Sequence, residues 1–211
     1  MLEKIKVPED GTHMDIFLNE NDKAEALLFL KNNKMAPKEF IYMNIGGSSF
    51  QKQWPVDKFV SLSKLILKNT SMSIMLGGGP EATDRVSLIE KEIGLKRVTR
   101  ATHLSLKKSC SLISQARILI SPDSGPMHIG FALKVPTIAL FWSSDSTETI
   151  SRNPLNGPDY CGPLNIDESL NAVLYGNFFN GTKKEDNPEN SLLNPILVSE
   201  VWEKVLCFIK I

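Results

Sequence analysis

The sequence predicts an α/β domain built on a doubly wound parallel sheet. Between Phe40 and Phe141, short apolar runs alternate with stretches of helical length and period, the signature of successive βαβ units. Two of the runs, Ile118-Leu119-Ile120 and Thr137-Ile138-Ala139-Leu140-Phe141, are almost continuously apolar, as strands covered on both faces are. Turns rich in glycine, serine and proline follow the strands and lead into the helices.

Taken in order, the first 19 residues carry weak periodicity and read as a linker. A helix is expected over Glu20–Asn33, with Ala24, Leu27, Leu28 and Leu30 as its apolar side. Strand Phe40–Ile45 leads through Gly46-Gly47-Ser48-Ser49 and Trp54-Pro55 into helix Val56–Lys68. Trp54-Pro55 reads as a packing element that sets the start of that helix. Strand Met72–Leu76 leads through Gly77-Gly78-Gly79-Pro80 into helix Glu81–Ile93. A short strand around Arg97–Thr99 precedes helix Ser105–Gln115, and strand Arg117–Ser121 follows. Pro122-Asp123-Ser124-Gly125-Pro126-Met127-His128 then opens a helix that ends before Val135-Pro136, and Thr137–Phe141 is the next strand. Past Phe141 the pattern dissolves into Ser, Asp, Asn, Pro and Gly, with Asn177–Asn190 as a surface loop. A last amphipathic helix, Leu197–Ile209, gathers Val198, Val201, Trp202, Val205 and Leu206 on one side.

The 211 residues, 42% apolar and 23% charged, suit one globular domain with a buried core. Lysine plus arginine balance aspartate plus glutamate at 24 each, so net charge argues for no nucleic-acid partner. Cys110, Cys161 and Cys207 lie far apart, which fits neither a disulfide framework nor a zinc site and suits a reducing cytoplasm. His13, His103 and His128 have no metal-ligand spacing, and no apolar run is long enough to span a bilayer.

Ligands of open parallel sheets bind beyond the carboxyl ends of the strands, and three such ends carry chemistry. In the first, Gly46 and Gly47 allow close backbone approach, Ser48 and Ser49 can donate to phosphate oxygens, and Lys52 supplies a positive charge. The Walker A spacing is absent; a plain turn with a surface lysine is an equal reading of these residues alone. In the second, three glycines precede Glu81, which can accept from ribose hydroxyls or simply favour a helix N-terminus. In the third, Pro126 suits a first helical turn, Ser124 or Asp123 can cap it, and the exposed amides form an anion site. Asp123, Ser124 and His128 are also the residue types of nucleophilic catalysis, but no GxSxG elbow surrounds Ser124. His128 fits a phosphate donor and a packing residue equally.

Lys52-x-Trp54-Pro55, the glycine-rich turn with Glu81, and Asp123–His128 occur in the order and spacing of one family. Together they resemble the C-terminal half of glycosyltransferase family 9, the ADP-heptose:lipopolysaccharide heptosyltransferases. The family signature D-[ST]-G-x-x-H-x-x-x-A-L-x-x-P-x-x-x-L-F/Y is met by Asp123, Ser124, Gly125, His128, Ala132, Leu133, Pro136, Leu140 and Phe141. The resemblance implies a GT-B architecture, in which two Rossmann-like domains face a cleft and the C-terminal one holds most of the nucleotide sugar. It makes residues 1–39 the interdomain linker and leading helix, and residues 40–211 the nucleotide-sugar-binding domain. By motif position, Ser48, Ser49 and Lys52 contact the diphosphate, Glu81 the ribose, and Asp123, Ser124, Gly125 and His128 the diphosphate–sugar end.

The resemblance further implies transfer of a sugar, with ADP-heptose as donor, to lipopolysaccharide core or a related surface glycan. Neither a metal nor another cofactor is needed, and the work is done in the cytoplasm or at the inner face of the inner membrane. The family's N-terminal domain, which supplies the catalytic base and acceptor site, has no counterpart here; the chain alone is expected to bind nucleotide and transfer sugar poorly. A non-catalytic nucleotide-sugar-binding or assembly module is the alternative. One departure stands out. After Phe141 the family commonly has a Gly-Pro-Thr-[DS]-Pro turn, where this chain has Trp142-Ser143-Ser144-Asp145-Ser146.

Overall fold

Among the described residues, six short strands, all parallel, form one sheet whose order does not follow the chain. The structure is a computed structural model and describes residues 14–47, 49–142, 169–176 and 190–210. Ser48, Cys161, Ser143–Ser146 and residues 177–189 of the expected surface loop lie outside the described residues. The strands are β1 (Phe40–Asn44), β2 (Ser73–Gly78), β3 (Val98–Thr102), β4 (Ile118–Pro122), β5 (Thr137–Phe141) and β6 (Asn171–Tyr175). Their order is β3-β2-β1-β4-β5-β6, every neighbouring pair parallel. The helices are α1 (Glu20–Asn32), α2 (Val56–Asn69), α3 (Thr83–Ile93), α4 (Leu106–Gln115), α5 (Gly125–Ala132) and α6 (Val198–Ile209). This is the expected doubly wound, Rossmann-like α/β fold.

The alternation of side chains along each strand divides the core into two layers. On one face Ile41, Met43 and Ile45 pack with Phe59 and Ile66 of α2, Val86 and Ile89 of α3, and Val201 and Val205 of α6. On the other, Phe40 and Tyr42 pack with Ala26 and Leu30 of α1, Leu112 and Ile113 of α4, and Ile129 of α5. With both faces covered, β1, β4 and β5 are buried along their whole length, which is why they read as continuous apolar runs.

The structure alters several sequence expectations. In α1, Ala26 and Leu30 are buried, while Leu27 and Leu28 are 46% and 58% exposed and Ala24 is exposed too. Ala26 and Leu30 lie four residues apart and turn one narrow seam to the sheet, so an apolar count over the helix picks the wrong face. A reciprocal capping box of Asn19 and Asp22 starts this helix one residue after Asn19. Gly77 and Gly78 belong to β2 rather than to a turn. A side-chain carbon on Gly77 would stand 2.1 Å from the Tyr42 hydroxyl, so glycine there makes room for the neighbouring strand's ring. β3 runs to Thr102, beyond the expected Thr99, and begins after Arg97, whose φ of 63° breaks extended geometry.

The sixth strand was absent from the sequence reading. Asn171–Tyr175 pairs with β5 at the sheet edge and is partly exposed; its Ala172-Val173-Leu174 run is as apolar as that of an interior strand, but it stands past Phe141, where no strand–helix alternation flags it.

The last segment of the chain braces the loop after β1. Trp54 is fully buried, meets Phe59 edge-on at 5.0 Å, and donates from Nε1 to the Ile196 carbonyl at 3.2 Å. Leu192 N–H donates to the Gln51 carbonyl at 3.0 Å and the Ser191 hydroxyl to the Gln53 carbonyl at 2.6 Å. Pro55 then sits at the N-cap of α2, so Trp54-Pro55 does set the start of that helix. Trp54→Ala is expected to lower unfolding free energy by about 3–5 kcal/mol in urea titration, through the cavity left and the loss of the indole hydrogen bond to the Ile196 carbonyl, which keeps Lys58 Nζ at 3.0 Å.

Candidate functional site

The sheet opens where its order reverses. β1 and β4 are paired from Ile41↔Ile118 to Met43↔Ile120. Beyond that point β1 turns to β2, with Ile45 N–H donating to the Gly77 carbonyl at 2.9 Å. β4 turns to β5, with Asp123 N–H donating to the Leu140 carbonyl at 3.1 Å. The two chains part, and a cavity of about 600 Å³ lies over the gap. This is the switch point at which such sheets bind ligands.

The Asn44 side chain bridges the parting strands. It is 2% exposed, and its Nδ2 donates to Ser124 Oγ at 2.9 Å and Ser121 Oγ at 3.2 Å, with the Gly46 carbonyl at 3.3 Å. Ser124 Oγ donates in turn to the Pro122 carbonyl at 3.0 Å. Ser124 is extended and stands at the N-cap of α5, but its side chain caps no helical amide. The Asp123 carboxylate caps none either, because it is taken up elsewhere. The start of α5 therefore faces the cavity with no side-chain cap, although Pro126 carries no N–H and the Met127 N–H donates to the Ser124 carbonyl at 3.0 Å.

Lys52 ends a 3₁₀ turn, Phe50–Lys52, in the loop braced by the C-terminal segment. Its Nζ donates to Asp123 Oδ2 at 2.7 Å, joining the loop after β1 to the loop after β4 across the cavity. The Trp142 indole N–H donates to the same oxygen at 2.6 Å. On the far side of the gap, Glu81 lies in a second 3₁₀ turn, Pro80–Ala82, instead of the expected first turn of α3. Its carboxylate folds back to accept the Gly79 N–H at 3.2 Å. It lies so close across Gly46 that an added Cβ there would meet Oε1 at 2.4 Å. Gly78, at φ 145°, is held in the region that L side chains avoid and brings the β2 end against Ala82 and Gly46.

Of the residues singled out in the sequence, Lys52, Glu81, Asp123, Ser124, Gly125 and His128 all line this cavity. Ser49 does not; it is exposed and precedes the Phe50–Lys52 turn, with only its carbonyl engaged, by Lys52 N–H at 3.0 Å. His128 faces the cavity and makes no hydrogen bond to Ser124, whose hydroxyl is engaged by Asn44 and the Pro122 carbonyl. A Ser–His nucleophilic pair is therefore not assembled. Among the described residues no group of three His, Cys, Asp or Glu gathers as a metal site.

An apolar arm completes the cavity. Leu104, Leu106, Ile113 and Ile129 line it beside Tyr42. Burial pushes the Tyr42 phenol well above its ordinary pKa, and Ser109 hydrogen-bonds it, so it serves as a neutral wall. His103, next to Leu104, holds φ at 62° and hydrogen-bonds Thr83 Oγ1 at 2.8 Å, fixing the loop that carries this arm. Asn44 and Tyr42 are not among the candidate residues of the sequence, and Trp142 enters there only as the start of the departure from the family's turn. Asn44 was detectable as the lone amide in the otherwise apolar Phe40–Ile45 run.

Comparison with known proteins gives this geometry a family. The chain is 29% identical over 160 residues to lipopolysaccharide heptosyltransferase 1 of Campylobacter coli, covering 74% of this chain and 47% of that protein. It is 29% identical over 126 residues to lipooligosaccharide heptosyltransferase 2 of Campylobacter jejuni, covering 58% of this chain and 38% of the other. The chain thus spans half the length or less of these curated relatives. The crystal structure of a family 9 glycosyltransferase from Veillonella parvula superposes with a TM-score of 0.77 at 20% identity, over 99% of this chain and 57% of that one. The Escherichia coli heptosyltransferase WaaC with ADP superposes with a TM-score of 0.65 at 19% identity, over 98% and 53%. These similarities, the signature around Asp123 and a match of the family's sequence profile (heptosyltransferase) over residues 1–161 agree: the chain belongs to glycosyltransferase family 9.

Proposed function

We propose that this chain is the donor-holding half of a glycosyltransferase and binds a nucleoside diphosphate sugar in the cavity between β1 and β4. The observation that carries the reading is the meeting of Lys52, Glu81 and the Asp123–Ser124 turn around one opening at the switch point. Its parts match the chemistry of such a ligand. The apolar arm of Leu104, Ile113 and Ile129 suits a flat base. Glu81, already folded over Gly46, can accept from ribose hydroxyls. Lys52 and the uncapped start of α5 suit the diphosphate, and Asp123 the sugar.

The same groups favour breaking the glycosidic bond. As the bond from the sugar carbon to the diphosphate oxygen breaks, its electron pair stays with that oxygen and negative charge builds there. Lys52 and the positive N-terminal end of α5 are positioned for charge on that group, so they interact more strongly with the transition state than with the intact donor. No residue of this cavity is assigned as the base that takes the acceptor proton. That group and the acceptor site belong, in this reading, to the part of the relatives' length that this sequence does not span.

The named lipopolysaccharide and lipooligosaccharide heptosyltransferases, together with the neighbour that holds ADP, support ADP-heptose as donor and a lipopolysaccharide core sugar as acceptor. Work in the cytoplasm or at the inner face of the inner membrane, with peripheral contact there, is part of the proposal. No helix among the described residues is long and apolar enough to cross a membrane.

Titration calorimetry with ADP, UDP and GDP tests the site. ADP is expected to bind most tightly, and Lys52→Ala to weaken it by about tenfold to a hundredfold, the worth of a charge-assisted hydrogen bond. No binding of any of the three by the folded chain would remove the assignment. Gly46→Ala should push the Glu81 carboxylate aside, since its mobile end is what the new Cβ would meet. ADP affinity should then fall by roughly fivefold to tenfold, about one hydrogen bond, while inorganic pyrophosphate binds as before. In a transfer assay with ADP-heptose and heptose-deficient lipopolysaccharide, this chain alone should give little product. Supplying the N-terminal half of a family 9 enzyme should raise it; no product in either case favours the non-catalytic module.

A further inference from the structure

Among the described residues that line the cavity, Asp123 is the only carboxylate on the β4 side, and its two oxygens are used unequally. Oδ2 accepts from Lys52 Nζ at 2.7 Å and from Trp142 Nε1 at 2.6 Å, while Oδ1 takes no hydrogen bond among the described residues. The Trp142 indole reaches the lysine as well, with Nζ 5.4 Å from the ring centroid, within cation–π range. Trp142 itself is 8% exposed and lies nearly parallel to the fully buried Phe141, the planes 12° apart. It is held by the core and does not line the cavity.

We propose that Trp142 is a positioning residue of the donor site, fixing through Asp123 and Lys52 how the cavity presents its charges to the sugar diphosphate. This inference rests on the donor-site reading above. By filling Oδ2 from behind, the indole N–H leaves Oδ1 as the acceptor for a sugar hydroxyl. A carboxylate so held offers one oxygen and one direction, which selects among hydroxyl arrangements more sharply than a freely turning one. The ring face does the same for Lys52, a long side chain that otherwise loses much rotamer freedom when it binds. One N–H of the ammonium points to Asp123, and the other two remain for phosphate oxygens.

A double-mutant cycle on the whole chain tests this, with ADP and ADP-heptose as probes in calorimetry and Trp142→Phe, Asp123→Ala and their combination as variants. Trp142→Phe keeps a ring and removes the N–H. It is expected to weaken ADP-heptose about tenfold, one hydrogen bond to a charged group, and ADP less. In the Asp123→Ala background the same change should add little, because the indole acts through that carboxylate. Equal losses in both backgrounds, or unchanged ADP-heptose affinity in Trp142→Phe, would overturn the proposal while leaving the donor site standing. Failure of the unmodified chain to bind either probe would overturn both. Proton NMR gives a readout independent of ligand. The indole N–H resonance that disappears in Trp142→Phe should move upfield in Asp123→Ala, and an unmoved resonance would also overturn the proposal.

Discussion

The parting of β1 from β4 is the constraint on which the site depends. Two parallel strands that share a register through Met43 and Ile120 are drawn apart by their outer neighbours one residue later. That leaves backbone polar groups and two loops at the edge of a dry core, where an unpaired amide or hydroxyl is costly. The Asn44 carboxamide meets this by spanning to Ser121 and Ser124. The bridge holds the β4–α5 turn in an extended entry, and so keeps the start of α5 open to the cavity. A hydrophobic residue at this position would leave two serine hydroxyls and the turn without their common partner.

Charge is arranged around that opening with little redundancy. Lys52 and Asp123 pair across the cavity with their side chains 32% and 10% exposed, so each is partly desolvated and oriented before any ligand enters. Such pairs add modestly to stability once desolvation is counted. Their value here is geometric, because the lysine is carried by a loop that the C-terminal segment holds through Gln51, Gln53 and Trp54. A packing interaction at the far end of the chain therefore sets where the positive charge stands. Glu81 illustrates the reverse dependence, since its carboxylate occupies space only because Gly46 and Gly79 have no side chains.

The arrangement also separates two ways of using the residues Asp, Ser and His. In a hydrolase the serine would be activated by the histidine. Here Asn44 and the Pro122 carbonyl engage the serine, while Lys52 and Trp142 engage the aspartate. Groups so committed hold and orient; they do not attack. This fits the donor-holding role proposed above for a chain of glycosyltransferase family 9.

The sequence by itself determined the class of the fold, because βαβ periodicity and doubly buried strands are local patterns that survive in one dimension. It also brought forward Lys52, Glu81, Asp123, Ser124, Gly125 and His128, all of which line the cavity, since glycine-rich turns after strands mark the ligand edge of a parallel sheet. Tertiary structure decided what local pattern does not contain. The edge strand Asn171–Tyr175 exists by pairing with β5, the buried seam of α1 follows from what it packs on, and Ser49 is not in the lining of the cavity that Gly47 and Lys52 reach. The partners of Asp123 likewise come from Lys52, 71 residues before it, and Trp142, 19 after, brought together only because the strand order reverses between β1 and β4. Spacing along the chain records which residues are available, whereas hydrogen-bond direction and burial, properties of the packed molecule, decide which oxygen of Asp123 remains for a ligand.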